Sequence, residues 1–440
     1  MTSDTSPRRG GAAGSAALPP RRPTVVLVGW RPHAAAALRR LRGHVVCVCE
    51  PAHHKAARMS PDTDAVLLVP NPSDAEQVLS ALARQGLDGE RVTTVASEDE
   101  FTVVTAAAVA AALGVPSMSV DTAIALRDKY VQKKLIVRAG LATARCHVID
   151  ALGELNAVPI QLPFVVKPLA GAAARDTHAV MDATTLRDLA DGEDPAAPPS
   201  GPWLVESFTP GIELHLDGVV RDGELTALGV SRYLQNILSI RSGGLVGSVT
   251  LAPERHPSLY QTAHRHVEAA LRALGHRDGI FHLEAFLDED RLTFSECAGR
   301  SGGGMVREAM SEKFGVSLAD EWARAVLRTA PGRPAATAPE AIGFVNLPAA
   351  AGTVESLPSE DDVRARPGVR EVRLGVALGD VMPDVSSSSF AKAGVALVAG
   401  PDEQVAEERL RDLAAWFSRS VRVRSAMPAA AYAAPDPVSA

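Results

Sequence analysis

The chain has 440 residues but only four cysteines, and no two of them have zinc-type spacing with ligands nearby. Cys47 and Cys49 alternate along one apparent strand, while Cys146 and Cys297 are isolated. This argues against a disulfide framework or a structural zinc, and for buried free thiols in a reducing compartment. No run is long and apolar enough to cross a bilayer. There is no excess of basic charge: the formal net charge is −7. A general nucleic-acid or membrane-surface binder would need a basic face, although a local basic pocket for phosphates stays open. The GxGxxG fingerprint is absent where the first strand ends; the chain reads Gly29-Trp-Arg-Pro-His33 there, which argues against a nicotinamide cofactor. No fixed-period repeat is visible. Met1 to Arg22 has arginine pairs without an apolar core after them, so it reads as a disordered tail rather than a signal peptide.

What is present is globular: 46% hydrophobic and 22% charged residues, over a length that suggests roughly three domains. From Thr24 to Leu113, apolar β-branched runs alternate with helical stretches, which predicts a parallel sheet covered on both faces. The runs are Thr24–Gly29, His44–Cys49, Ala65–Val69 and Arg91–Ala96. Beyond Asp121 a long charged helix is expected over Thr122–Ala139, ending at Gly140. Strands follow at Phe164–Lys167 and Trp203–Glu206, with a Pro/Gly-rich surface loop, Asp191–Pro202, between them. A hairpin over His215–Val230 turns at Asp222-Gly223. Helices are expected at His256–Leu274 and Glu308–Thr329. Pro331–Pro339 reads as a boundary, followed by strands such as Ala341–Leu347 and Gly394–Val398 and a last helix, Asp402–Phe417.

The stretch Phe281–Gly304, FHLEAFLDEDRLTFSECAGRSGGG, carries the densest chemistry. Glu284 and Glu296 each lie in a short strand-like run, and Asp288-Glu289-Asp290 reads as a turn. A tight hairpin is expected to place both carboxylates on one sheet surface. Two such groups repel unless a cation sits between them, and hard oxygen ligands beside phosphates suit Mg²⁺. Arg300 and Gly302 to Gly304 add a fixed cation and bare backbone. The plainer alternative is an antiparallel hairpin with two solvated glutamates. Three further features precede it. Asp128-Lys129 with Lys133 and Lys134 one turn later is, alone, a charged helix face. Lys167 ends an apolar strand, where a buried ammonium needs an anion such as phosphate; a small-residue loop follows it. Trp203 to Glu213 leaves a strand, turns at Pro210-Gly211 and re-enters.

Together these residues resemble the ATP-grasp superfamily, specifically its carboxylate–amine ligases, and look most like the L-amino-acid ligases that make dipeptides. The resemblance runs from about Thr24 to Val421 and is strongest between Asp128 and Gly304. It implies an ATP-grasp fold of the α/β class, α+β in its centre. The parts would be a Rossmann-like parallel-sheet domain at 23–121, the nucleotide-binding domain at 122–335 and an α+β domain at 336–425, with tails at 1–22 and 426–440. It implies ATP and Mg²⁺ as cofactors, with Mn²⁺ as an alternative. Lys129 or Lys133 would match the first nucleotide lysine, with Lys129 favoured. Lys167 would contact the α- and β-phosphates. Glu206, Ser207, Phe208 and Thr209 would form the adenine hinge, and Glu213 would hold the ribose. Glu284 and Glu296 would bind metal, and Arg300 would steady the transferred phosphoryl group. His256, His282, Arg307 and Gly303 are candidates for substrate contact; His282 is the best of the histidines because it alternates with Glu284.

Two departures stand out. The family's glycine-rich phosphate loop is alanine-rich here, with only Gly171 in Ala170 to Ala174, and alanine tolerates positive φ poorly. Where many members carry an asparagine two residues after the second metal acid, this chain has Ala298. The implied reaction joins a carboxylate to an amine through an acyl phosphate and releases ADP and phosphate. Small-molecule acids and amines, most naturally amino acids, would be the substrates, in the cytoplasm. Neither nucleic acid nor membrane is expected as a partner, and family members often dimerise. The rivals are a carboxylase or formate-using transferase, although no biotin-carrier region is visible, and an inactive nucleotide-binding protein. Tyr233 to Gly244, with Arg241 and its glycine pair, reads as a mobile cover.

Overall fold

A computed structural model describes residues 22–171, 175–192, 201–242, 244–335, 337–383 and 391–424. Most of the tails, the core of the 191–202 loop and Ala172–Ala174 of the alanine-rich loop lie outside the described residues. So do Gly243 and the side chains of Ile240, Arg241 and Ser242, in the stretch read as a cover.

Four parallel strands come first: Thr24–Val28 (β1), His44–Cys49 (β2), Ala65–Leu68 (β3) and Thr94–Ala96 (β4), in the order β3-β2-β1-β4. The valines and leucines of β1, β2 and β4 are buried between helices on both faces, while the edge strand β3 is more open, with Leu68 exposed. A helix over Pro51–Met59, not expected from the sequence, connects β2 to β3.

A second sheet is antiparallel, built from Cys146–Ile149 (β5), Phe164–Pro168 (β6), His178–Val180 (β7) and Trp203–Ser207 (β8), in the order β5-β8-β6-β7. The third begins with Ile212–Arg221 (β9) and Glu224–Tyr233 (β10). Their turn has Asp222 and Gly223 at φ of 55° and 86°, the left-handed pair that a two-residue hairpin turn demands. Gly247–Thr250 (β11), Gly279–Asp288 (β12), Arg291–Ala298 (β13) and Ala341–Leu347 (β14) follow. After β14 come Gly352–Ser356 (β15), Val369–Leu374 (β16), Val381–Met382 (β17), Gly394–Gly400 (β18) and Arg422–Arg424 (β19). The large sheet runs β13-β12-β9-β10-β11-β14-β18-β16. It therefore continues across the Pro331–Pro339 segment: β11 pairs with β14 on its far side. β15, β17 and β19 form a small separate sheet.

Two long helices expected from the sequence are each broken. The stretch 122–139 is a short helix, Val120–Ala125, then a second, Lys129–Arg138. The first ends at Leu126, and Asp128 caps the second, accepting from the Val131 amide at 2.9 Å. Glu308–Thr329 is likewise two helices, Val306–Phe314 and Leu318–Val326. Gly315 terminates the first in the left-handed conformation and Ser317 caps the second.

The core beneath the large sheet is made by alternate residues of its strands. Leu214 and Leu216 of β9 and Phe281, Leu283 and Ala285 of β12 pack against the helix Pro257–Leu274. The intervening residues face the other way, and most of the polar ones, Glu213, His215, Asp217, His282 and Glu284, are among them. Truncating Phe281, which has no exposed surface, removes a large buried ring. Phe281→Ala should lower unfolding free energy by about 3–5 kcal/mol in urea titrations. Val381→Ala, at a position 72% exposed, should leave the midpoint within error.

Candidate active site

A cavity of about 650 Å³ is lined by residues from all three large sheets and the helix Lys129–Arg138. Strand alternation supplies most of its wall. On β6, Phe164 and Val166 join the core while Val165 and Lys167 face the cavity. On β8, Trp203 and Val205 go inward and Glu206 faces the cavity. On β9 one face carries Glu213, His215 and Asp217. On β12 the matching face carries His282, Glu284 and Phe286. The register couples the two rows directly: Glu213 opposite Phe286, His215 opposite Glu284, Asp217 opposite His282.

The pairing of Glu284 with Glu296 needs more than the tight turn that the sequence suggested. From Asp288↔Arg291 to Ala285↔Phe294 the register is regular, and continued it would set Glu284 against Ser295. Glu296 would then share the core face of Phe294. A β-bulge between Glu284 and Ala285 absorbs Ser295 and brings Glu296 opposite Glu284 instead. β13 is an edge strand, and the helix Lys129–Arg138 covers it. Gln132 donates to the Cys297 carbonyl at 2.8 Å and accepts from its amide at 2.9 Å. Lys133 donates to the Ser295 carbonyl at 3.1 Å. The outward backbone groups of the bulged edge are thus satisfied by side chains.

Cations stand against several of the carboxylates in the cavity, but not all. Lys129 lines it and lies 3.2 Å from Glu296 and 2.9 Å from the Gly171 carbonyl. Lys133 does not line it; it is 1% exposed and lies 2.8 Å from Glu206. Lys167 reaches Glu206 at 2.5 Å and Glu296 at 4.0 Å. Burial works against the Lys167 ammonium, but Glu206 and then Glu296 outweigh it and hold its pKa above the ordinary value. Burial also opposes ionisation of Glu206, yet Lys133 and Lys167 hold its pKa down at about 2. Glu296 is held at about 2 as well, against burial, first by Lys129 and then by Lys167. Glu213 goes the other way. Burial, then Glu284 and Glu296, push its carboxyl up to about 8.

Behind Glu284 stands a buried polar chain. Tyr233 donates to Glu284 at 3.0 Å. His282 has one ring nitrogen 3.5 Å from Glu284 and the other 2.8 Å from Asp217. Asp217 also meets His215 at 2.5 Å, and His215 meets Ser248 at 2.7 Å. Burial would neutralise His282, but Asp217 overrides it and lifts its pKa to about 10. A cation is therefore fixed behind the carboxylate, and both ring nitrogens of His282 are engaged. His215, Asp217 and His282 lie close enough together to ligate a metal. The two Nδ1 atoms instead meet the two oxygens of Asp217 in an internal ion-pair chain.

The remaining residues singled out from sequence fall as follows. Ser207, Phe208 and Thr209 line the cavity at the end of β8; the Ser207 and Phe208 amides donate to Arg145 and Pro163 carbonyls at 2.9 and 3.1 Å. Glu213 accepts from the Ile237 amide at 2.6 Å. Arg300 lines the cavity, bonded to Glu100 and, at 2.7 Å, to the Ser301 carbonyl. Arg307 lines it too, 3.3 Å from the Ser301 hydroxyl. Gly303 has open space where a Cβ would stand. His256 is elsewhere: it pairs with Glu403 at 2.8 Å at the start of its helix, because the chain between β11 and that helix turns away from the cavity.

Sequence reasoning missed the contribution of the first sheet. Arg31 and His33 follow β1, and Glu98 and Glu100 follow β4, all at the cavity wall. Glu98 bonds His33 and accepts from the Ser301 hydroxyl at 2.5 Å; Glu100 holds both Arg300 and, at 3.2 Å, Arg127. A usable signal existed: ligands in open parallel sheets bind outside the carboxyl ends of strands. Tyr233, Phe344 and Lys392 were also missed; nothing local marks them.

The donor set fits a divalent cation. Glu213, Glu284 and Glu296 share one cavity; burial first, and then the charges of Glu284 and Glu296, raise the pKa of Glu213, and a hard cation would offset that crowding. Neutralising Lys133 should test the charge balance. Lys133→Met leaves buried Glu206 with one cation, which should cost about 3–5 kcal/mol of stability. The sign with pH follows from the depressed pKa. Stabilisation by Glu206 is complete above its ordinary value of 4.5 and is lost as pH falls toward about 2. Unfolding titrations between about pH 3 and about pH 7 should therefore show a shallower acid loss in Lys133→Met than in the parent.

Comparison with known proteins agrees with this geometry. Residues 346–420 match the family described as L-amino acid ligase C-terminal domain 2. The chain is 23% identical over 302 residues to an L-arginine-specific L-amino acid ligase of Bacillus subtilis, covering 67% of this chain and 72% of that protein. Its fold resembles the crystal structure of an L-amino acid ligase from Bacillus licheniformis, with a TM-score of 0.73, 19% identity, and coverage of 92% and 100% of the two chains. It also resembles a carboxyaminoimidazole ribonucleotide synthase from Aspergillus clavatus complexed with ATP, with a TM-score of 0.70, 17% identity, and coverage of 90% and 99%. The chain thus has the fold of the ATP-grasp ligases, and its sequence resembles that of the L-amino-acid ligases.

Proposed function

We propose that the chain is an ATP-dependent carboxylate–amine ligase that joins two amino acids or closely related small acids and amines into a peptide bond, in the biosynthesis of a small peptide-like metabolite. The single observation that carries the reading is the bulge-made pairing of Glu284 with Glu296 across from Lys167. When bound, ATP would supply the phosphoryl group that activates a carboxylate as its acyl phosphate, and Mg²⁺ would offset the charge of the phosphates. Glu284 and Glu296 would hold the ion, with Tyr233 and His282 fixing the orientation of Glu284. Lys129 and Lys167 would sit against the phosphates; Lys129 is preferred to Lys133 because it lines the cavity and Lys133 is spent on Glu206 and the β13 edge. The backbone of Glu206 to Thr209 would take the adenine edge and Glu213 the ribose.

Arg300 would face the charge that develops on the transferred group, oriented by Glu100. Arg307, Gly303 and the wall from the first sheet would bound the substrates. No protein nucleophile is required; the residues position and neutralise. We further propose that the segments 23–121, 122–335 and 336–425 act as the functional parts. The cytoplasm is the favoured compartment, supported by four free cysteines, two of them alternating on β2. No helix among the described residues is long and apolar enough to cross a membrane.

Glu296→Ala should lower ADP release about a thousandfold, the equivalent of ~4 kcal/mol of transition-state stabilisation. Circular dichroism should report an unchanged fold. ADP production with pairs of amino acids, read against bicarbonate and formate, tests the reaction class. Turnover that needs bicarbonate or formate and ignores amines would overturn the peptide-bond reading.

A further inference from the structure

The cations of the cavity are spoken for, with two exceptions. Lys129 and Lys167 face glutamates, Arg31 meets Asp99 at 2.9 Å, Arg300 meets Glu100, and Arg307 meets Ser301. Arg175 is exposed on the phosphate-loop side. The other exception is Lys392. It is half-buried, it lines the cavity, and among the described residues it has no hydrogen-bond or ion-pair partner. It sits just before β18, held in place where the Ala393 amide donates to the Leu347 carbonyl at 2.9 Å. β18 lies four strands along the sheet from β9, so Lys392 does not come from the strands that carry the glutamates. Phe344 and Asn346 of β14 line the same part of the wall.

An ammonium in this setting is costly without a counter-charge. Burial pushes its pKa below the ordinary lysine value, and no neighbouring carboxylate offsets that. A cation left unpaired beside a substrate cavity is a candidate for binding an anion that the protein does not itself provide. The nucleotide phosphates are already served by Lys129 and Lys167 in the proposed function, on which this inference rests. A ligase that joins two amino acids must also hold a carboxylate that is not activated, and keep it away from the phosphoryl group. We propose that Lys392 seats this second, unreacting substrate carboxylate, the α-carboxylate of the amine partner. An acidic side chain on the activated partner has the same chemistry and is separated from it by the test.

The test uses the purified full chain with ATP and Mg²⁺. Pairs of proteinogenic amino acids are screened for ADP release, and the best amine partner is then compared with its own carboxamide. Lys392→Met keeps the length of the side chain and removes the charge; Lys392→Arg restores the charge. Lys392→Met should raise KM for the amine partner about tenfold or more, with KM for ATP within about twofold of the parent. Lys392→Arg should recover most of the loss. With the carboxamide, parent and Lys392→Met should behave alike, because the charge that the lysine reads is gone. A defect that persists with the carboxamide but vanishes when an acidic activated partner is replaced by its neutral amide analogue would support the seat and reassign its occupant. Equal KM values for parent and Lys392→Met on every pair would overturn the inference alone, as would equal losses with acid and carboxamide partners of both kinds. Absence of ADP release by the parent with every pair would overturn the ligase reading, and this inference with it.

Discussion

Three carboxylates, Glu213, Glu284 and Glu296, are brought into one largely buried cavity, and the surrounding structure is arranged around their charge. Lys129 and Lys167 offset Glu296, Tyr233 and His282 approach Glu284, and Glu213 is left with its pKa raised. Such a site is poorly matched to itself and well matched to a hard cation bridging phosphates. Glu206 has a different task. Buried between Lys133 and Lys167, it pairs with both and holds them in place rather than meeting the ligand as a side chain. The function suggested for its stretch, an adenine hinge, concerns backbone, so the two roles are compatible.

The bulge on β13 is what converts an ordinary hairpin into a metal-type site. It costs the strand its regular register, and it leaves an edge that must be covered. The helix Lys129–Arg138 covers that edge with Gln132 and Lys133, and the same helix delivers Lys129 to the cavity from its first turn. One element therefore satisfies the backbone of the bulge and supplies a cation to the carboxylate that the bulge re-aims. Disturbing the helix should be felt at both.

The cavity also depends on the first and last parts of the chain. Glu98 and Glu100 reach from the end of β4 to Ser301 and Arg300, tying the parallel sheet to the glycine-rich turn after β13. Gly304 shows how close the other wall is: its φ is 64°, and a Cβ there would stand 2.1 Å from the Phe344 ring. Residues more than 200 positions apart thus enclose one space: the Ser301 amide donates to Glu98 across the junction of the first sheet and the large one.

Much of this was legible in the residues. Apolar runs alternating with helices marked the parallel sheet. Lysine at the end of FVVK and the two glutamates marked the chemistry, because charged groups at strand positions need partners. Capping residues such as Asp128 were also there, though their power to split a long charged stretch into two helices depended on the turn they capped. What the sequence could not reveal is which face Glu296 would take. By period-two counting it belongs with Phe294 in the core, and only strand pairing, with Ser295 bulged out, turns it to the cavity. Nor could it reveal that Glu98, Glu100 and Lys392 would meet there, since local pattern carries no record of contacts between distant segments. Local chemistry determined which groups required counter-charges; the tertiary structure decided which of them would supply those charges to one another and which would be left for a ligand.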